Sequence, residues 1–273
     1  MFDVKMDNIA YGVILAAGEG RRMRPLTAYY AKITLPILDK PLLIHHLEIM
    51  KIAGIQKVFI VVSNDNYVLV QECIARYCQS GGKITCEPVI QEALEGTGHA
   101  LLILEKKLAG KRFLLLLGDE YYHDVDAFNR LSANRNDSRI IGVVEYEDVD
   151  RITAGCNVQM EGDCVIRLVE KPAQGQIRGR WCWDGSVVLD ATIFETLHEL
   201  QDSNPSHGKD SLCIVKAMQR LIEKKQSLAT LKKKCTNINI TTDLDYIEAS
   251  LIEIRKKYGN EKLVNLFKKY LPL

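Results

Sequence analysis

The sequence predicts an α/β fold: a doubly wound, mostly parallel sheet with a mixed β elaboration in its second half. Three observations predict it. Continuous apolar runs of strand length, bounded by glycine or polar residues, recur through the first half, as strands buried on both faces do. Helix-length segments with apolar residues at helical spacing separate these runs. In the second half the runs become shorter and alternating, with glycine-containing turns between them.

Residues 12–17 (GVILAA) read as the first strand. Pro41 opens a helix that runs to Ala53, with Leu43, Leu47 and Met50 on one face, and Gly54 stops it. Residues 58–62 are the second strand, 67–77 a helix, and 83–86 a third strand after the Gly81-Gly82 turn. A helix over 97–107 leads to a fourth strand, 113–117, which ends in Gly118-Asp119-Glu120. This βαβαβαβ order implies right-handed crossovers and a Rossmann-like sheet, whose ligands bind outside the carboxyl ends of the strands. Further on, residues 140–146, 156–160, 165–170 and 186–189 read as strands, with turns at 161–163 and at Asp184-Gly185. Helices are expected over 191–200 and 210–224, a strand over 236–240, and a helical stretch over 243–269 broken at Tyr258-Gly259. Residues 173–180 (AQGQIRGR) read as a mobile loop. No linker, repeat or low-complexity tract divides residues 1–273, so a single domain is expected.

The 273 residues suffice for a core without disulfides or a metal staple. A hydrophobic content of 47% with 26% charged residues is that of a soluble globular protein. The formal net charge of +1 supplies no global field for a polyanion, so neither nucleic acid nor a membrane is an expected partner. Lys232-Lys233-Lys234 reads as a solvated strand end or turn. The eight cysteines include no C-x-x-C pair, and several lie in apolar runs, which suits a reducing cytosol. Met1 to Asn8 contain no apolar run of the secretory kind, and no run is long enough to span a bilayer. A cytoplasmic protein is the expectation.

The loop Gly18-Glu19-Gly20-Arg21-Arg22-Met23 follows the first strand. Its glycines allow close backbone approach to an anion, and Arg22 and Lys32 add positive charge. The motif of P-loop proteins is absent, because no Gly-Lys-Ser/Thr follows. The dinucleotide fingerprint fails as well: Met23 stands at its third glycine, and Pro25 would break its helix.

Residues 15–27 (LAAGEGRRMRPLT), then Ala31-Lys32, then 35–41 (LPILDKP), closely resemble the signature of the sugar-1-phosphate nucleotidyltransferases. Weaker landmarks of that family recur in order down the chain. The resemblance implies a nucleotide-binding half over approximately 9–135, a sugar-phosphate-binding half over 136–245 and a C-terminal helical segment over 246–273. It places Ala16, Ala17, Gly18, Gly20, Arg21, Arg22 and Lys32 around the triphosphate. Arg21 stands where relatives often carry Thr. Gln91, Gly96 and Thr97 would read the base, since a Gln side chain offers both a donor and an acceptor to a pyrimidine edge. His99 reads as a packing residue. Asp119 would hold Mg²⁺ against phosphate oxygens, and Glu120 beside it reads as exposed. Gly155 and Glu170 would contact sugar hydroxyls, and Lys171 the sugar phosphate. Ala154 replaces a Tyr common in relatives. The family's second metal carboxylate falls on Asn239, whose amide oxygen brings no charge.

The resemblance thus implies an enzyme that joins a nucleoside triphosphate, UTP or dTTP, to a sugar 1-phosphate, with glucose 1-phosphate favoured, releasing pyrophosphate. Arg22, Lys32, Asp119 and Lys171 would be its catalytic groups and Mg²⁺ its cofactor. Three other readings stay open: a cytidylyl- or guanylyltransferase using another phosphorylated acceptor, a glycosyltransferase on a similar sheet, and a nucleotide-sugar-binding regulatory subunit. The helix after Asp243 either packs on its own core or forms the face of a homo-oligomer.

Overall fold

The computed structural model describes residues 9–123, 125–133, 139–203, 212–234 and 237–270. Met1 to Asn8, the first two residues of the helix expected from 210, Cys235 and Thr236 lie outside them. The strands in chain order are β1 (Tyr11–Leu15), β2 (Pro36–Ile37), β3 (Lys40–Pro41), β4 (Lys57–Val62), β5 (Thr85–Ile90), β6 (Phe113–Leu117), β7 (Glu120–Tyr121), β8 (Ile140–Glu145), β9 (Cys156–Glu161), β10 (Cys164–Glu170), β11 (Trp181–Leu189), β12 (Ala229–Lys232) and β13 (Ile238–Asn239).

The large sheet runs β5-β4-β1-β6-β11-β8-β12-β10-β9. Its first four strands are parallel. From β6 onward the pairing is antiparallel except between β12 and β8. Strand β9 also pairs with β11, through Asn157 and Cys182, which closes the second half on itself. A parallel sheet is therefore correct for the first half only. The Glu161-Gly162-Asp163 turn makes a hairpin of β9 and β10, whereas parallel pairing needs a long crossover.

Alternation along the parallel strands builds two cores. Val13 and Leu15 face one layer with Phe59, Val61, Phe113 and Leu115. Ile14 faces the other with Ile60, Leu114 and Leu116. Leu42, Leu43 and Leu47 of the Leu42–Ile52 helix cover the second layer. Leu101, Leu197 and Met218, from the helices Thr97–Leu102, Thr192–Ser203 and Ile214–Glu223, cover the first. Both faces of the sheet are thus buried, as the continuous apolar runs require.

Three local expectations are corrected. Strand β5 begins at Thr85 and continues to Ile90, through Pro88. It is an edge strand, where a missing N–H costs no ladder bond. Asp184 and Gly185 are not a turn but lie inside β11, where the register against β8 shifts between Trp183 and Val187 and Gly185 takes φ 83°. Lys233 is not solvated. Its side chain is 2% exposed and forms an ion pair with Asp184. Residues 173–180 contain a short 3-10 turn, Gln174–Gln176, and the Arg178 N–H donates to Asn157 Oδ1 at 3.1 Å. The C-terminal stretch is two helices, Asp243–Tyr258 and Asn260–Tyr270, separated at Gly259 as expected. No helix among the described residues is long and apolar enough to cross a membrane.

Candidate active site

Two cavities open at the carboxyl ends of β1 and β6 and meet there. The first, about 360 Å³, is lined by Ala16, Ala17, Gly18, Lys32, Gln91, Gly96, Thr97 and Asp119, among others. The second, about 470 Å³, is lined by Arg22, Glu120, Gly155, Glu170 and Lys171, among others. Leu117, Asp119 and Asn239 line both. All but two of the residues expected around the ligands therefore fall on one or other wall.

The two exceptions are Gly20 and Arg21. Gly20 is in the left-handed region, at φ 62°, and its carbonyl accepts from the Thr27 hydroxyl at 2.8 Å. A Cβ there would lie 2.9 Å from Thr27 Cγ2, so the position needs glycine to shape the loop. Arg21 is turned back onto Glu19, with Nε 2.7 Å from Oε2, on the exposed side of the loop. Arg22 lines the second cavity rather than the first.

Lys32 reaches across the first cavity to Asp119, Nζ to Oδ2 3.3 Å. The Asp119 backbone is held from below. Gly118 N donates to Leu15 O at 2.8 Å, and His46 sets its ring nitrogens against the Leu42 and Leu117 carbonyls, at 2.9 and 3.1 Å. A lysine and a carboxylate at this distance are exchangeable partners.

Behind the Gln91 wall of the first cavity stands a residue that sequence reasoning missed. Gln91 is buried, and its Nε2 donates to Gly96 O at 3.2 Å and to His99 Nδ1 at 3.1 Å. A carbonyl oxygen only accepts, so the nitrogen of the amide must face this side, and His99 must accept as well. His99 is therefore part of the site's hydrogen bonding and not packing. The eight-residue separation within a loop–helix junction gives no periodic signal for it. Gly96 has φ 102°, and a Cβ on it would lie 2.5 Å from Leu212 O. Thr97 does not cap its own helix. Its hydroxyl accepts the Ile214 N–H at 3.1 Å, docking this wall onto the Ile214–Glu223 helix.

In the second cavity, Glu170-Lys171 follows β10. Lys171 adopts φ 46°, a left-handed conformation rare outside glycine, and its N–H donates to Gly155 O at 2.7 Å. One Glu170 oxygen, Oε2, accepts the Cys213 thiol at 2.9 Å. Burial and that bond push the Cys213 thiol up to about 11, so it stays protonated as a donor.

Glu120 is the second correction. It is 4% exposed, not at the surface. Strands β7 and β13 pair antiparallel with Asn239 opposite Glu120, and Asn239 Nδ2 donates to Glu120 Oε1 at 2.7 Å. Asn237 Nδ2 donates to Glu120 Oε2 and also to Asp184 O, the latter at 3.0 Å. Burial, with Asp119 and Asp184 close by, pushes the Glu120 carboxyl above its ordinary range, and the two amide donors pull the other way. No cluster of three or more His, Cys, Asp or Glu among the described residues forms a ready-made metal cage. Asp119 and the Asn239 amide oxygen nevertheless fit a hard divalent ion that keeps waters and takes substrate phosphates.

The fold and site thus define an α/β protein with two cavities that share the Asp119 carboxylate and carry lysines and arginines on their walls. The chain belongs to the nucleotidyl transferase family, whose model matches residues 11–243. It is 28% identical over 204 residues to a glucose-1-phosphate thymidylyltransferase of Actinoplanes sp., covering 70% of this chain and 62% of that protein. It is 30% identical over 223 residues to the bifunctional protein GlmU of Methanococcus vannielii, covering 77% of this chain and 47% of that one. The chain thus matches under two thirds of the length of these relatives. Among solved structures, UDP-glucose pyrophosphorylase complexed with UDP-glucose superposes with a TM-score of 0.78 at 22% identity, covering 91% of this chain and 99% of that one. That likeness concerns the fold.

Proposed function

We propose that the protein is a sugar-1-phosphate nucleotidyltransferase that uses UTP or dTTP, with glucose 1-phosphate as the favoured acceptor. The observation that carries the base assignment is the fixed amide of Gln91. Gly96 O and His99 Nδ1 take both of its N–H groups, so only Oε1 remains to face the first cavity. A lone acceptor suits a pyrimidine that carries an N–H at position 3, as uracil and thymine do. Cytosine presents a lone pair there and is repelled. The names of the thymidylyltransferase relatives favour glucose 1-phosphate for the second cavity.

On this reading the first cavity is the nucleotide half and the second the acceptor half of one domain. The parallel strands β5, β4, β1 and β6 form its Rossmann-like part. Ala16, Ala17 and Gly18 pass along the triphosphate with their backbone, while Gly20 shapes the loop. Lys32 stabilises the triphosphate charge. Glu170 and Gly155 hold sugar hydroxyls, and Lys171 holds the acceptor phosphate. Arg22, on the acceptor side, draws that phosphate towards the α-phosphorus. An acceptor phosphate oxygen attacks the α-phosphorus in line, a new P–O bond forms, and the bond to the β-phosphate breaks, releasing pyrophosphate. The attacking oxygen is already anionic, so no side chain has to remove a proton. The barrier is the approach and alignment of two anions, which the cationic side chains lower. Asp119 and Asn239 would hold Mg²⁺, which neutralises phosphate charge when bound.

Pyrophosphate release tests this. UTP, dTTP, CTP, GTP and ATP are each incubated with glucose 1-phosphate, N-acetylglucosamine 1-phosphate and mannose 1-phosphate, with Mg²⁺. The proposal expects turnover with UTP or dTTP well above CTP. Preferred turnover of CTP contradicts the base assignment, and release independent of any sugar phosphate contradicts the reaction.

A further inference from the structure

Asn239 is a neutral group where the resemblance to the family expects a carboxylate, and a buried carboxylate stands directly behind it. We infer that Glu120 is a positioning residue for the divalent cation: it fixes the Asn239 amide so that its oxygen faces Asp119. This rests on the reading that Asp119 and Asn239 hold the cation.

The hydrogen bonds leave one arrangement. The Asn237 amide is locked, with its nitrogen donating to Asp184 O at 3.0 Å and its oxygen accepting from the Tyr146 hydroxyl at 3.1 Å. A backbone carbonyl cannot donate, so Asn237 must point Nδ2 at this side, and there it also meets Glu120 Oε2. The other Glu120 oxygen, Oε1, is then an acceptor for the group opposite it in the β7–β13 pair, Asn239. Asn239 therefore turns its nitrogen inward and its Oδ1 outward. Asn239 lines both cavities, as Asp119 does, so that oxygen is offered where the two meet. The backbone seals the register, with Ile240 N donating to Asp119 O at 2.8 Å. Beyond Ile240 the chain is held by Asp245, whose Oδ2 accepts from Thr241 N at 2.9 Å and Thr242 N at 2.7 Å. Asn239 has little freedom except rotation of its own amide, and Glu120 removes it.

An isosteric substitution separates this role from simple packing. In Glu120→Gln, the Asn237 amide still demands an acceptor, so the new side-chain amide gives it an oxygen and turns its own NH₂ towards Asn239. Asn239 must then flip, presenting NH₂ to the cation. Adding Asn239→Asp restores an inward acceptor, leaves an outward oxygen and returns the missing charge. The double variant E120Q/N239D thus rebuilds the hydrogen-bonded pair with donor and acceptor exchanged between β7 and β13.

Mn²⁺ is titrated into the full chain, without nucleotide, and free Mn²⁺ is read by electron paramagnetic resonance. Circular dichroism melting checks the fold of each variant. Wild type should bind one Mn²⁺ and D119N should abolish it. E120Q should weaken binding by about tenfold or more, the usual cost of losing an outer partner of a ligand. E120Q/N239D should return to within about threefold of wild type. Unchanged affinity in folded E120Q, or no recovery in the folded double variant, overturns the inference while leaving the cation at Asp119. A double variant that does not fold leaves the decision to E120Q alone. Unchanged affinity in D119N, or no Mn²⁺ binding by wild type, instead overturns the underlying metal reading and the inference with it.

Discussion

The ammonium of Lys233 is buried against the carboxylate of Asp184, inside the closed half of the sheet, and lies 3.7 Å from the centre of the Phe128 ring. Asp184 also accepts from the Ser186 N–H at 2.8 Å and the Ser186 hydroxyl at 2.6 Å, and its carbonyl holds Asn237. The pair ties the chain entering β13 to β11, beneath the second cavity. Removing one partner strands the other charge without water. Lys233→Met should therefore cost about 3–5 kcal/mol in urea unfolding. A cost below about 1 kcal/mol, on the scale of an exposed pair, contradicts a structural role.

Arg22 and Lys32 stand on different cavities, so their losses should differ in kind. Lys32→Ala should lower turnover by about a hundredfold or more, mainly in kcat. Arg22→Ala should do so with a larger rise in the KM for the sugar phosphate. Circular dichroism should show both folded, and near-wild-type turnover in either removes that residue from the mechanism.

The His99 contact predicts a change in choice rather than in speed. His99→Leu frees one N–H of Gln91 and leaves Gly96 O as the one remaining contact of the pair that fixes the amide. The ratio of UTP to CTP turnover should fall by about tenfold, the worth of one buried hydrogen bond. An unchanged ratio, measured as kcat/KM for each triphosphate, contradicts the lock.

Lys171 holds a left-handed conformation that glycine adopts freely. Lys171→Gly should relieve about 1 kcal/mol of backbone strain. The melting temperature should hold or rise while turnover with the sugar phosphate collapses. A variant that is both less stable and active would show that the conformation serves packing.

Burial holds the His45 and His46 imidazoles below the ordinary histidine range. The sign follows from proton uptake. Below the unfolded value of 6.5 the unfolded chain binds protons that the native rings refuse, so stability falls as pH falls. Each ring contributes up to about 1.4 kcal/mol per pH unit there. Urea midpoints should drop between about pH 7.5 and 5.5, and less steeply in His45→Gln. An equal slope would assign the loss to other groups.

Much of this was legible in the sequence, and the reasons are specific. The runs that became β1, β4 and β6 are apolar on both faces because helices cover both, and that pattern admits few alternatives. Gly18 and Lys32 stood out because a long signature runs through them, and Asp119 and Lys171 because weaker landmarks follow in order; all four line the two cavities. Glu120 and Lys233 were misplaced for one reason. A charged residue reads as exposed unless its partner is known, and the partners here, Asn237, Asn239 and Asp184, are distant in sequence. The second half was read as mixed β, but its closure was not legible because β9 meets β11 through a single residue pair, Asn157 and Cys182, which leaves no periodic mark.

The central claim is that one phosphate oxygen of a sugar 1-phosphate attacks the α-phosphorus of a nucleoside triphosphate held in the first cavity. Phosphorus-31 NMR of the protein with UTP, glucose 1-phosphate and Mg²⁺ follows this directly. The account predicts loss of the sugar monophosphate signal, with a diphosphate diester and free pyrophosphate appearing in equal amounts. Orthophosphate in place of pyrophosphate, or an unchanged sugar phosphate beside consumed triphosphate, would contradict it.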